Sequence, residues 1–248
     1  MCGRYTSTST VAELAQVFEV EEVRAEPLDP SYNVAPTRPV YAVALTRPSD
    51  GDPDKGPHRA LGTFRWGLVP SWAKDPSVGN RMINARAEGI TEKPAFRRAV
   101  ARRRCLIPAD AFYEWQHRSG PAGRPAGKLP YAVRRRDGQP MALAGIWEVW
   151  RDPVAPDADP VRSCAIVTTS ANELMAPIHD RMPVVLERAD WPLWLAPETD
   201  LGAIEALMRP AASGVLEAFP VSTLVNKVTN DGPQLLEPRP DPPGGGTP

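Results

Sequence analysis

Cys2 is the residue with the most chemistry to offer. Methionine aminopeptidases remove Met1 when the second residue is small, and cysteine qualifies. The chain then begins with a 1,2-aminothiol, an α-amine of pKa ~7.7–8.0 beside a thiol near ~8.5. Toward an aldehyde such a pair reacts in a set order: the amine forms an imine, and the sulfur closes a five-membered thiazolidine. Toward an amide or ester, the thiolate attacks with the amine as its base. Gly3 lets a substrate or a second backbone approach closely, and the Arg4 guanidinium suits a phosphate bidentately.

Other polar residues sit where a site would place them. Glu114 lies in FYEWQ, between Tyr113 and Trp115, where desolvation suits a general acid or base. His179 lies in PIHDRMP, a proline-bounded loop followed directly by Asp180 and Arg181. Asn84 in MINARAE precedes Arg86 and can orient a hydroxyl or cap a turn. Trp66 and Trp72 in RWGLVPSW are either core residues or stacking groups for bases, and Pro36 in SYNVAPT is a rigid, exposed candidate of the same kind.

These residues need elements to hold them. Residues 10–23 read as a helix, with Thr10 as N-cap and Glu13 completing a capping box. Strands are expected over 40–45, 60–69, 105–107 and 112–115, and a basic helix over 93–103. Residues 118–129 read as an exposed loop. Residues 131–136 and 141–150 read as a strand pair turning at Asp137-Gly138. A buried strand over 163–169, helical pieces within 190–208 and a last strand over 215–221 follow. No βαβ alternation appears, so the expected class is α+β: one domain over residues 1–236, with a mixed or antiparallel, barrel-like sheet core flanked by helices. The tail from residue 237, EPRPDPPGGGTP, reads as disordered.

Composition excludes several classes. Proline supplies 30 of 248 residues, about 12% against a usual ~5%, which rules out a coiled coil or a long helical bundle. No run approaches the ~18–20 apolar residues of a membrane span, and the N-terminus lacks a signal pattern, so a cytoplasmic location is expected. Three cysteines (Cys2, Cys105, Cys164) and three histidines, without ligand spacing, argue against a disulfide scaffold and a metal site. The net charge of −1 conceals a cluster: residues 81–104 carry eight basic side chains against Glu88 and Glu92. Such a face either binds nucleic acid or is simply solvated.

Taken together, MCGRY, YNVAPT at 32–37, RWGLVPSW at 65–72, INARAE at 83–88, FYEW at 112–115, AIVTT at 165–169 and IHDRMPVVL at 178–186 resemble the SRAP family, the SOS-response-associated peptidase domain that processes abasic sites in DNA. The resemblance implies that Cys2 captures the ring-opened sugar of an abasic site in single-stranded DNA as a thiazolidine. It implies that Asn84, Glu114 and His179 complete the catalytic set. It places Arg4, Arg86, Thr168 and Arg181 at or beside positions that contact phosphates, and Pro36 and Trp72 at positions that wedge against flanking bases. It implies no metal or organic cofactor. A monomer associated with the nucleoid fits this picture, and the basic segment 93–104 would extend its electrostatic track. Three other readings compete: an N-terminal-cysteine amidohydrolase or glutaminase, a non-catalytic single-strand-binding module, and an autoproteolytic peptidase. The last is weakened because Met1 alone precedes Cys2.

Overall fold

Thr10 and Glu13 close the expected capping box in the computed structural model of the chain, which describes residues 2–47, 56–119 and 125–239. The Thr10 N–H donates to Glu13 Oε2 at 2.7 Å, and the Glu13 N–H donates to Thr10 Oγ1 at 3.2 Å. The helix they open, α1 (Val11–Val17), is shorter than expected. Glu19 turns left-handed at φ 53°, and Val20 N–H reaches back to Ala15 O at 2.9 Å. The C-terminal turn is therefore built on a glutamate where glycine is usual, and no sequence signal announces it. Arg59 and Arg188 pair with the Glu19 carboxylate. Residues 22–23, expected as helix, form a short strand instead.

The strands fall into two sheets. The first holds β1 (Tyr5–Ser7), β3 (Ser31–Val34), β8 (Ala111–Ser119), β9 (Pro125–Arg135) and β14 (Leu216–Pro220), in the order β14-β9-β8-β1-β3. The second is built on β4 (Pro39–Thr46), β5 (His58–Trp66), β7 (Arg104–Ala109), β10 (Met141–Trp150) and β11 (Val161–Ser170). Around these sit β2 (Glu22–Val23), β6 (Asn84–Arg86), β12 (Arg181–Pro183) and β13 (Val185–Leu186). Most pairings are antiparallel; β2 and β11 run parallel to β5, and β6 runs parallel to β11. The expected α+β class with a mixed sheet core is what the chain adopts.

Asp137-Gly138 is a turn, with Gly138 at φ 72°, but not the turn of a hairpin. β9 pairs with β8 and β14, whereas β10 pairs with β7, β11 and β13. The dipeptide carries the chain from one sheet to the other. The reason lies in burial: Met141–Ile146 are all buried at the centre of the second sheet, whereas β9 lies between β8 and β14 in the first. The loop expected over 118–129 also shrinks, since β8 runs to Ser119 and β9 starts at Pro125. Asp110 sits at another crossing between sheets, its carboxylate accepting from Thr8 and Ser9.

One core fills the space between the two sheets and includes Cys2, Tyr5, Trp66, Cys105, Cys164 and Ile166. Another lies under the helices on the far side of the second sheet. Trp66 is thus a core residue. The basic helix expected over 93–103 is only α2 (Arg97–Arg102). Arg104 is 2% exposed, and so is no part of a surface track. Its guanidinium donates to the Val100 and Ala101 carbonyls at 2.6 and 2.7 Å, and to those of Trp194 and Ala196. It caps the ends of α2 and of α3 (Trp191–Leu195) together. Burial lowers it to about 10, still a cation at neutral pH. Arg104→Met leaves those carbonyls unpaired and is expected to cost about 3–5 kcal/mol. For a chain of this length the melting temperature should fall by roughly 10 °C. A thermal melt unchanged by the substitution would show that water replaces the guanidinium at no cost.

The first residues of the expected tail are held, Arg239 N–H donating to Pro220 O at 2.9 Å. Its remainder, 240–248, lies outside the described residues, as does most of the loop over 48–57.

Candidate active site

Register brings the N-terminus to Glu114. β1 lies antiparallel to β8 with Tyr5 opposite Phe112, and the Tyr113 N–H donates to Arg4 O at 3.0 Å. The chain running back from Tyr5 to Cys2 therefore passes alongside Glu114. The second sheet supplies Asn84: β6 lies beside β11 with Asn84 opposite Ile166, and Asn84 Nδ2 donates to Cys2 O at 2.8 Å. The Oδ1 of the same side chain is buried with no protein donor. Cys2 is thus fixed where the two sheets meet, and it is fully buried. Burial first, and then the Glu114 charge, push its thiol well above its ordinary value.

Arg4, Glu114, Trp115, His117, Lys128, His179 and Asn226 line a pocket of about 360 Å³. Glu114 is 2% exposed at its base. His179 arrives on the turn after β11, its N–H bonded to Met175 O at 2.8 Å. The Arg181 backbone N–H donates to His179 Nδ1 at 2.9 Å. The same Nδ1 also lies 2.9 Å from Asp180 Oδ1. Gln116 ties this turn to β8, donating to Pro177 O at 3.0 Å. Carboxylate, imidazole and guanidinium therefore share one cavity beside the N-terminus, a set able to move protons while holding an anion.

The remaining candidates stand apart from that cavity. Arg86 is exposed next to Glu88. Arg181 makes a bidentate pair with Glu88 at 2.6 and 2.8 Å and donates to Thr168 O at 2.8 Å; this pair holds the Glu88 carboxyl below its ordinary range. Thr168 is buried, its Oγ1 without a donor or acceptor partner. Pro36 lines a different and larger cavity with Tyr5, Asn33 and Val34. Trp72 is 59% exposed, held by a turn in which Ala73 N–H donates to Pro70 O at 2.9 Å.

Three pocket residues escape a reading of the sequence. His117 and Lys128 face each other across β8 and β9, and Asn226 comes from a 3-10 turn (Thr223–Asn226) far along the chain. Strand alternation from Glu114 points to Gln116 rather than His117, and nothing local marks the other two. Cys105 and Cys164 are buried and free. Among the described residues no group of three His, Cys, Asp or Glu side chains could hold a metal ion, and no helix is long and apolar enough to cross a membrane.

The sequence profile described as SOS response associated peptidase (SRAP) matches residues 1–228. "Abasic site processing protein YoqW" of Bacillus subtilis (strain 168) is 41% identical over 239 residues, covering 96% of this chain and 99% of that protein. "Abasic site processing protein HMCES" of Gallus gallus is 30% identical over 272 residues, covering 96% of this chain and 78% of that protein. A solved structure from Bacteroides thetaiotaomicron superposes with a TM-score of 0.81 at 23% identity, over 96% of this chain and 100% of that one.

Proposed function

The chain belongs to the SOS response associated peptidase (SRAP) family, and from that premise we propose that it processes abasic sites in DNA by covalent capture at Cys2. The relatives named as abasic site processing proteins support the role. The observation that carries the mechanism is that Glu114, His179 and Arg4 line one cavity, while Cys2 lies buried beside Glu114 with its carbonyl held by Asn84.

In this reading Met1 is removed and the Cys2 amine attacks the C1′ aldehyde of the ring-opened sugar. The carbinolamine loses one water to give an imine. The Cys2 sulfur then adds to the imine carbon while its proton passes to nitrogen, closing the thiazolidine. Glu114 and His179 are the groups that move protons for ring opening and dehydration. Asn84 holds the Cys2 backbone through its carbonyl, and its Oδ1 is available to a sugar hydroxyl or the amine.

In this order the amine is the first nucleophile, whereas attack on an amide would begin with the thiolate. Arg4 and the exposed Arg86 are the phosphate contacts that the arrangement serves best. Arg181 joins them only by exchanging Glu88 for a phosphate. In this reading Trp72, exposed on its turn, and Pro36 press on flanking bases. Single-stranded DNA without sequence preference is the substrate, since an abasic position offers no base edge to read.

The test is a denaturing gel of the protein with a single-stranded oligonucleotide carrying one abasic site, together with an intact-mass spectrum. The expected product survives boiling and has the mass of protein lacking Met1 plus DNA minus one water. Undamaged DNA should give none. Affinity should fall with salt, log K dropping by about 0.7 per phosphate contact for each unit of log salt. If the protein shows only salt-insensitive binding and no stable product, the reading is wrong; ammonia release from glutamine would favour the amidohydrolase.

A further inference from the structure

Arg4 is held more firmly than a surface arginine needs to be. Its Nη1 donates to Asn33 Oδ1 and to Val225 O, both at 2.8 Å, and its Nη2 donates to Asn226 O at 3.3 Å. Its guanidinium lies 5.8 Å from the centre of the Trp115 ring. The Trp115 indole N–H donates in turn to Asn226 Oδ1 at 2.7 Å.

Asn33, in β3, is 4% exposed and joins these pieces. Its Oδ1 accepts from Arg4, while its Nδ2 donates to Val225 O, Lys227 O and Asn230 O at 3.3, 3.0 and 2.9 Å. Val225 O accepts from both side chains. Only an amide can do this, because the Arg4 side needs an acceptor and the three carbonyls need a donor. Aspartate would set a carboxylate oxygen against those carbonyls and a full charge against Arg4.

The bonds to protein take three of the five N–H groups of Arg4. The two that remain, Nε–H and the second Nη2–H, form one fork of the planar guanidinium, which is the shape that a phosphate's oxygens accept. Arg4 itself lines the pocket of Glu114 and His179.

We propose that Asn33 is a positioning residue for strand binding: by fixing Arg4 and the 225–230 segment together, it keeps that fork turned toward a phosphate of the DNA beside the lesion. The inference rests on the reading of the pocket as an abasic-site centre. A residue that merely anchored the 225–230 segment would make the same contacts to the carbonyls, so the experiment must separate action through Arg4 from general support.

Binding of a single-stranded oligonucleotide with a tetrahydrofuran abasic analogue, which has no aldehyde, is measured by fluorescence anisotropy at several salt concentrations. The proteins compared are the wild type, Asn33→Ala, Asn33→Asp, Arg4→Gln and the two Arg4→Gln doubles. Each Asn33 single substitution is expected to weaken binding about tenfold and to reduce the salt slope by about one phosphate contact. In the Arg4→Gln background the same substitutions should change affinity by less than about twofold, because coupled residues are not additive. Equal losses in both backgrounds, or no loss in the single variants, would overturn the proposal. Asn33→Asp, nearly isosteric, serves if Asn33→Ala does not fold. Wild-type protein that failed to bind the oligonucleotide would instead overturn the abasic-site reading itself.

Discussion

Cys2→Ala and Cys2→Ser are expected to remove the boiling-stable product while leaving a species that borohydride can trap. Both variants keep a small second residue, so Met1 is still removed and an α-amine is still presented. That amine forms the imine. What is lost is the sulfur that closes the ring, and an imine hydrolyses on denaturation where a thiazolidine persists. Serine can close an oxazolidine, but its oxygen is a weaker nucleophile than sulfur, so recovery of stable product should remain at least about 100-fold below the wild type. The comparison divides the two halves of the aminothiol. A residue placed ahead of Cys2 that cannot be removed should abolish both species, since it buries the amine in a peptide bond. A boiling-stable product from Cys2→Ala would move the nucleophile elsewhere, and Lys128, on the pocket wall, would be the first to substitute. Loss of the product without any borohydride-trapped species would mean that the thiol acts first, and the order of steps proposed above would be reversed.

The candidate site residues were more legible in the sequence than the pairing of the strands around them. Cys2, Glu114 and His179 stand out because each pairs a reactive type with a neighbourhood that explains little else: an N-terminus, a strand between two aromatics, a loop bounded by prolines. Asn84 reads equally well as a turn cap, and only its bond to Cys2 O separates the alternatives. The elements failed where tertiary context decided. Asp137-Gly138 has the chemistry of a hairpin turn and makes a turn, but pairing partners are chosen by burial, and β10 belongs at the centre of the other sheet. Arg104 sits in a run of basic residues and is read as surface charge; its burial depends on the ends of two helices, one of them 90 residues away. Asn33 and Asn226 were invisible for the same reason. Their partners are separated from them by up to 197 residues, and asparagine in a loop or strand carries no local mark of such a role.

Glu114→Gln is expected to slow formation of the product about 10²–10³-fold, in the range that positioned proton transfer contributes, and to leave noncovalent affinity for the tetrahydrofuran oligonucleotide equal or higher. The two effects separate because the carboxylate has two influences. It is the base proposed beside Cys2, and in that role glutamine, with the same shape and no proton to exchange, would deprive ring opening and dehydration of their catalyst. Among the described residues it is also the one acid lining a pocket that carries Arg4 and Lys128, so removing its charge makes that pocket more attractive to a strand of phosphates. A merely structural glutamate would behave differently, since its loss would lower rate and affinity together. His179→Gln should slow the reaction by a similar factor. If the two groups serve one relay, the double variant should be little slower than either single one, as is found for residues that act as a unit. The check is a single-turnover time course at saturating abasic DNA, repeated at several pH values. If Glu114→Gln reacted within about threefold of the wild type at every pH, far short of the factor ascribed to proton transfer, the carboxylate would be a packing group. Catalysis would then reside in the geometry that Asn84 and Arg4 impose on the aminothiol and the sugar.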